Sequence, residues 1–224
     1  MDSDSLSKTL QEIFNRLFNR YGSQQWWPAQ GTFEIIIGAI LTQSAAWVNV
    51  EKAITNLTAA GALSPDSIRR ITQDKLARLI FSSGYYNAKA KKIKAFAGWL
   101  GKHYDDDFSR LFAGDVNNIR QQLLMVYGIG EETADSIILY AANKPIFVID
   151  TYTRRIINRI GLEQKNAGYA KYQKLFMTNL PNDSRLFNEY HALLVYLAKN
   201  ICRSRPLCPQ CCLNDLCYFH KPPC

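Results

Sequence analysis

The fold of this chain turns on residues 123–155, which read LLMVYGIGEETADSIILYAANKPIFVIDTYTRR. One apolar-periodic segment runs into Gly128-Ile129-Gly130, and a second starts at once on the far side. Two glycines separated by one apolar residue predict a tight hairpin between helices, because glycine accepts positive φ at little cost. The helix that follows begins with unpaired N–H groups and the positive end of its dipole, a natural seat for a phosphate oxygen. A Gly-x-Gly corner alone is equally well explained as a helix joint that binds nothing. Past Asn143-Lys144-Pro145, an apolar run ends at Asp150, twenty residues after Gly130.

The remainder reads as all-α. Apolar residues recur at helical spacing from Leu6 to Tyr21, and Phe33 to Leu41 is almost wholly apolar, a buried helix. Further helices are expected over 48–59, from the Ser64-Pro65-Asp66 cap, over 74–81 after the cap Thr72, and in AKAKKIKAFAGWL. Beyond Asp150 they are expected to Ile160, over 169–180 and over 186–200. The total is roughly ten helices, with no segment of strand periodicity. Lys89, Lys91, Lys92 and Lys94 follow two tyrosines, a combination that suits phosphate contact and base stacking; the alternative is a solvated lysine face. The adjacent Trp26 and Trp27 before Pro28 either plug a gap between helices or line a pocket for a flat ring.

The formal net charge of +8 points to a polyanionic partner. No apolar run approaches the ~20 residues that span a bilayer. The opening MDSDSLSKTL is polar and acidic and does not read as a signal peptide. An intracellular, reducing location is therefore expected, where clustered cysteines are more often metal ligands than disulfides. Five of the six cysteines fall between Cys202 and Cys217, with Cys224 beyond them. Cys202, Cys208, Cys211 and Cys217 are separated by five, two and five residues. Four such sulfurs can close around Zn²⁺ or around a cubane iron–sulfur cluster, and spacing leaves that choice open. Arg203, Arg205 and Lys221 lie in or beside these loops, where a metal-closed turn presents them to phosphates.

Together, the Gly-x-Gly hairpin, the aspartate of VIDTYTRR and the cysteine loop resemble the helix-hairpin-helix DNA glycosylases of the endonuclease III superfamily. The resemblance covers nearly the whole chain. It implies two helical domains with a DNA-binding cleft between them. Residues 28–144 form a six-helix barrel domain with the hairpin; residues 1–27 and 145–224 form a second domain carrying Asp150 and the cluster loop. The family's loop holds a [4Fe-4S] cluster with spacings six, two and five, so iron–sulfur is favoured over zinc, with Cys202 the ligand that departs from the pattern. By motif, Gln43 matches the residue that fills the hole left by an extruded nucleotide, and Tyr85 the wedge into the opposite strand. Gly128 and Gly130 hold the DNA backbone, and Asp150 is the catalytic carboxylate. It is also a good N-cap for the helix it precedes.

One departure bears on the chemistry. The bifunctional members carry a lysine after the hairpin, where this chain has Glu132. A lysine amine forms a Schiff base with the sugar and a carboxylate cannot, so a monofunctional enzyme without lyase activity is expected. Acids in a first helical turn also suit the helix dipole. Glu132, Trp26-Trp27-Pro28 and Trp47 after Leu-Thr-Gln look most like the endonuclease III-related 3-methyladenine glycosylases. That likeness implies a flipped base held between the rings of Trp27 and Trp47, with Trp26 and Pro28 beside them. Alkylated purines are cationic, and a desolvated cation over an indole gains roughly 0.5–2 kcal/mol. The expected partner is double-stranded DNA with a damaged base, met by a monomer in the cytoplasm, nucleoid-associated in a bacterium, with no membrane involved. The alternatives are a glycosylase for oxidised pyrimidines or mismatched thymine or uracil, a non-catalytic DNA-binding protein, and a zinc-stapled helical scaffold.

Overall fold

A computed structural model of the chain describes residues 3–29 and 31–220. Lys221 and Cys224 lie outside the described residues. Among those described there are twelve α-helices and no strand, as the periodicity predicts. The chain divides into two compact units, one of Met1–Trp26 with Pro145–Cys224 and one of Trp27–Lys144. No helix among the described residues is long and apolar enough to cross a membrane.

The unit over Trp27–Lys144 holds α2 (Thr32–Leu41), α3 (Trp47–Ala59), α4 (Pro65–Arg70), α5 (Gln73–Leu79), α6 (Tyr86–Tyr104), α7 (Phe108–Leu111), α8 (Val116–Leu124) and α9 (Glu131–Ser136). A wide π turn, Ile137–Ala141, continues α9. Seven of the ten residues of α2 are buried, including Ile36, Ile37, Ile40 and Leu41, so it forms the centre of this unit. The long α6 packs on α4, α5 and α2 through Ala90, Ile93, Phe96, Ala97 and Leu100. Local chemistry sets the helix starts. The Ser64 hydroxyl accepts from the Ser67 N–H ahead of Pro65, and Thr72 accepts from Lys75. Asp107 and Asp115 cap α7 and α8 in the same way.

The other unit holds α1 (Ser3–Tyr21), α10 (Thr151–Ile160), α11 (Tyr169–Met177) and α12 (Ser184–Asn200). Its α12 packs against α1 and α10. Phe147 stacks on Phe176 with centroids 3.8 Å apart, and Tyr190 meets both rings edge-on. Residues 145–149 form neither helix nor strand, and Ile146 to Ile149 are buried. A buried backbone without a strand neighbour needs side-chain partners. Here the Ile149 N–H donates to the Tyr169 hydroxyl at 3.2 Å, and Gln173 Nε2 donates to the Phe147 carbonyl at 2.8 Å. This apolar segment delivers Asp150 to the start of α10.

Candidate nucleic-acid interface and active site

The Gly128–Gly130 corner forms, but its two glycines serve different ends. Gly128 has φ +84, and a Cβ there would sit 2.2 Å from Lys92 Cγ. Gly130 has φ −96 and ψ −177, an extended N-cap that any residue adopts. A Cβ on Gly130 would meet nothing within 4 Å, so the sequence-based expectation of positive φ at both positions holds only at Gly128. Open space thus lies before the N-terminus of α9. The first-turn acids Glu131 and Glu132 are exposed, and Glu131 pairs with Arg120 at 3.2 Å. Arg120 also grips the fully buried Asp135 at 2.6 Å, tying α8 to α9 across the corner.

Gln43 lies against this corner. Its Nε2 donates to the Gly128 carbonyl at 3.1 Å and to the Thr133 hydroxyl at 2.9 Å, while Lys92 Nζ donates to its Oε1. Tyr85 stands apart, 76% exposed, in the left-handed region at φ +44. A non-glycine residue held there marks a site the surrounding structure over-determines. Met125 and Tyr127 of the corner are also exposed, a feature the sequence reading did not single out.

The lysine cluster is not the single basic face expected from its spacing. Lys91 is exposed, Lys92 is turned to Gln43, and Lys94 Nζ donates to the carbonyls of Ile68 and Arg69. Lys89 is buried at 1% exposure, with Nζ 2.8 Å from the Leu41 carbonyl and 2.6 Å from that of Ser83. Burial, reinforced by Lys92, pushes the Lys89 amine down to about 8.

A pocket in the same unit is lined by Trp27, Pro28, Glu34, Gly38, Trp47, Glu51, Ile54 and Thr55. Trp27 lies so close over Gly38 that a Cβ there would come within 2.8 Å of its ring. The Trp27 and Trp47 rings meet at 90° with centroids 5.0 Å apart. The two rings therefore pack edge to face against each other. Neither Trp26 nor Glu132 is among the lining residues. Trp26 instead faces Lys199, whose Nζ is 6.0 Å from its centroid. Two lining carboxylates were missed in the sequence. Glu51 stands one turn after Trp47 and accepts from its indole N–H at 2.7 Å, an i,i+4 spacing that offered a signal.

In the other unit, Asp150 Oδ1 accepts from the Thr153 N–H at 2.7 Å, so the expected cap is made. Its Oδ2 lies 3.7 Å from Nε2 of the buried His191, and its side chain is 14% exposed. Burial lowers the His191 pKa, and Asp150 acts in the opposite direction. Arg155 in the middle of α10 and Arg159 near its end, one turn apart, hold the cysteine loop. Arg155 donates to the carbonyls of Ala198 and Cys202, and Arg159 to those of Cys202, Arg203 and Ser204. Arg159 Nη1 also lies 3.2 Å from Cys202 Sγ. One helix therefore carries the candidate acid at its start and the cysteine loop at its end.

Cys202, Cys208, Cys211 and Cys217 line one small pocket with Arg159, Ile201, Pro206, Asn214, Phe219 and His220; Cys212 is not among its lining residues. Burial pushes the Cys211 thiol up to about 11. Among the described residues no three His, Cys, Asp or Glu side chains converge as ligands of a metal ion. Four sulfurs around a common apolar pocket, with a guanidinium against one of them, suit a larger anionic thiolate cluster.

The sequence profile of the HhH-GPD superfamily base excision DNA repair proteins matches residues 37–182. The chain belongs to this family. It is 40% identical over 207 residues, 92% of this chain and 94% of the other, to a Methanocaldococcus jannaschii protein provisionally named as a DNA repair glycosylase. Among solved structures it is similar to the Helicobacter pylori 3-methyladenine DNA glycosylase bound to 1,N6-ethenoadenine. The TM-score there is 0.73 at 28% identity, covering 89% of this chain and 98% of that one. An endonuclease III trapped as a covalent intermediate with DNA has the same fold, with TM-score 0.83 at 21% identity and 96% of both chains covered. The chain is thus a base-excision-repair DNA glycosylase of the helix-hairpin-helix type.

Proposed function

We propose that this glycosylase is monofunctional and removes alkylated purines such as 3-methyladenine. The observation that carries the reading is the pocket of Trp27 and Trp47 with the carboxylates of Glu34 and Glu51 in its wall. A purine alkylated at N3 or N7 is a flat cation. An indole face and a carboxylate both attract it, whereas a neutral oxidised pyrimidine is better read by hydrogen bonds to its Watson–Crick edge. The similarity to the 3-methyladenine glycosylase of Helicobacter pylori supports the same substrate class.

The mechanism follows from the residues. The amides of Gly128 and Gly130 hold the DNA backbone, while that of Ile129 is bonded to the Val126 carbonyl. Gln43 fills the space left by the flipped nucleotide and Tyr85 wedges the opposite strand, offsetting the few kcal/mol lost on unstacking. As the glycosidic bond breaks, its electron pair leaves with the cationic base, which departs neutral and needs no general acid. The sugar takes on oxocarbenium character, and the Asp150 carboxylate stabilises that charge and takes a proton from the water whose oxygen bonds to C1′. Glu132 offers no amine for a Schiff base, so the reaction ends at an abasic site. Cys202, Cys208, Cys211 and Cys217 would hold a [4Fe-4S] cluster, which would give the loop bearing Arg203 and Arg205 a rigid anchor. The protein acts as a monomer on duplex DNA.

The test is a panel of duplexes, each with one lesion: 3-methyladenine, 7-methylguanine, thymine glycol, or uracil or thymine opposite guanine. Release of a methylated purine, with the strand intact until alkali is added, is expected. Preferential release of thymine glycol or of a mismatched pyrimidine overturns the reading.

A further inference from the structure

Lys89 is the most deeply buried charged group of α6. Lysine is almost never fully buried unless its charge is answered. Its ammonium spends its hydrogen bonds on two main-chain carbonyls. Leu41 is the last residue of α2, two before Gln43; Ser83 ends the 3-10 turn Phe81–Ser83, two before Tyr85. Both are orphan carbonyls at helix ends, which must find donors. One side chain therefore joins the end of one loop to the end of the other, though they lie 42 positions apart in the chain (83 − 41).

The next turn of α6 repeats the arrangement. Lys92, three residues on, donates to Gln43 Oε1 and packs its stem against Gly128. Two lysines on one helix face thus link the Gln43 loop, the Tyr85 loop and the glycine corner. Both loops are strained where they leave the staple, with Ser44 at φ +53 and Tyr85 at φ +44. Strain of this kind persists only when neighbouring bonds fix the backbone.

We propose that Lys89 is a positioning residue, whose ammonium fixes the Gln43 loop and the Tyr85 loop to each other so that the two side chains enter the duplex as one unit. The proposal rests on the reading that Gln43 and Tyr85 act in nucleotide extrusion. Lys94 supplies a matched comparison. It sits on the same helix and caps two carbonyls, of Ile68 and Arg69, which belong to α4 and to none of these loops.

The experiment uses a duplex with a tetrahydrofuran abasic analogue opposite 2-aminopurine, so no lesion preference enters. Fluorescence of the bound duplex reports unstacking of the estranged base, and affinity is measured on the same duplex without the analogue. Lys89→Met is expected to bind undamaged DNA within about threefold of wild type, since the phosphate contacts remain. Its fluorescence response is expected to fall roughly tenfold, the scale of one lost charge-assisted hydrogen bond. Lys94→Met keeps the wild-type response. In wild-type background, Gln43→Ala and Tyr85→Ala are expected to be non-additive by roughly fivefold. A wild-type response from Lys89→Met overturns the proposal, as does an equal loss in Lys94→Met. Should Lys89→Met not fold, the double-mutant cycle decides alone: non-additivity supports the staple and additivity overturns it. If neither Gln43→Ala nor Tyr85→Ala changes the response, the extrusion reading itself falls and takes the proposal with it; if both do so independently, only the staple falls.

Discussion

Replacing each glycine of the corner by alanine separates two roles that the sequence presents as one. At Gly128 the backbone sits at φ +84, and an L-residue in that region costs about 1–2 kcal/mol. The added Cβ also falls 2.2 Å from Lys92 Cγ and 2.6 Å from Cδ, so the lysine stem must leave and its bond to Gln43 goes with it. Over-packing of this kind adds about 1–3 kcal/mol, giving about 3 kcal/mol in all. For a chain of this length each kcal/mol lowers Tm by about 2–4 °C, so Gly128→Ala should melt roughly 6–12 °C below wild type. At Gly130 the backbone is extended and the space is empty, so alanine fits without strain. There the lost chain freedom of the unfolded state, worth about 0.4–1 kcal/mol, is offset by alanine being the poorer N-cap, so stability should change little. If the emptiness before Gly130 is the seat of a phosphate, Gly130→Ala weakens duplex binding while its Tm holds. Thermal unfolding followed by circular dichroism, with fluorescence anisotropy for DNA binding, measures both. A Gly128→Ala protein that melts within about 2 °C of wild type, or no earlier than Gly130→Ala, refutes the reasoning.

Four further outcomes follow from the same geometry. Trp27→Ala should lose roughly tenfold or more in release of a methylated purine while the protein stays folded, as stacking is worth about 1–3 kcal/mol per base; unchanged release moves the pocket elsewhere. Gly38→Ala should reproduce that loss without touching a pocket side chain, because its Cβ would displace the Trp27 ring 2.8 Å away, and the two single-turnover rates compared directly would show it. Burial holds the His191 imidazole below its ordinary value, so the unfolded chain binds the proton more readily. Stability therefore falls as pH drops through the unfolded value of about 6.5 and levels off below the folded one; urea midpoints at neutral and acid pH should show a smaller acid loss for His191→Gln, and equal losses would contradict it. Borohydride should trap no covalent protein–DNA adduct; an adduct would overturn the argument from Glu132.

What could be read in advance was the chemistry that acts over a few residues. The Ser64-Pro65 and Thr72 caps and the Asp150 cap each depend on a side chain meeting an amide three positions on. The four cysteines named from their spacing line one pocket, although the spacing alone did not say which of Cys211 and Cys212 would face it. Contacts made across the fold were hidden. Lys89 looks like its neighbours Lys91 and Lys92 until Leu41, 48 residues earlier, is brought to it. Trp26 and Trp27 are adjacent, yet the chain passes from one compact unit to the other between them, so only Trp27 joins the Trp47 pocket. Arg159 carried a signal that was available and went unused, as it recurs four residues after Arg155 on the same face of α10.

The measurement that bears most directly on the account is the single-turnover rate of base release by Asp150→Asn on a duplex carrying one methylated purine. Asparagine caps a helix as well as aspartate does, so α10 and the fold should survive. The negative charge of the carboxylate does not survive. The rate should fall by at least about 100-fold with DNA affinity retained. Release at the wild-type rate would show that the carboxylate does no more than cap its helix.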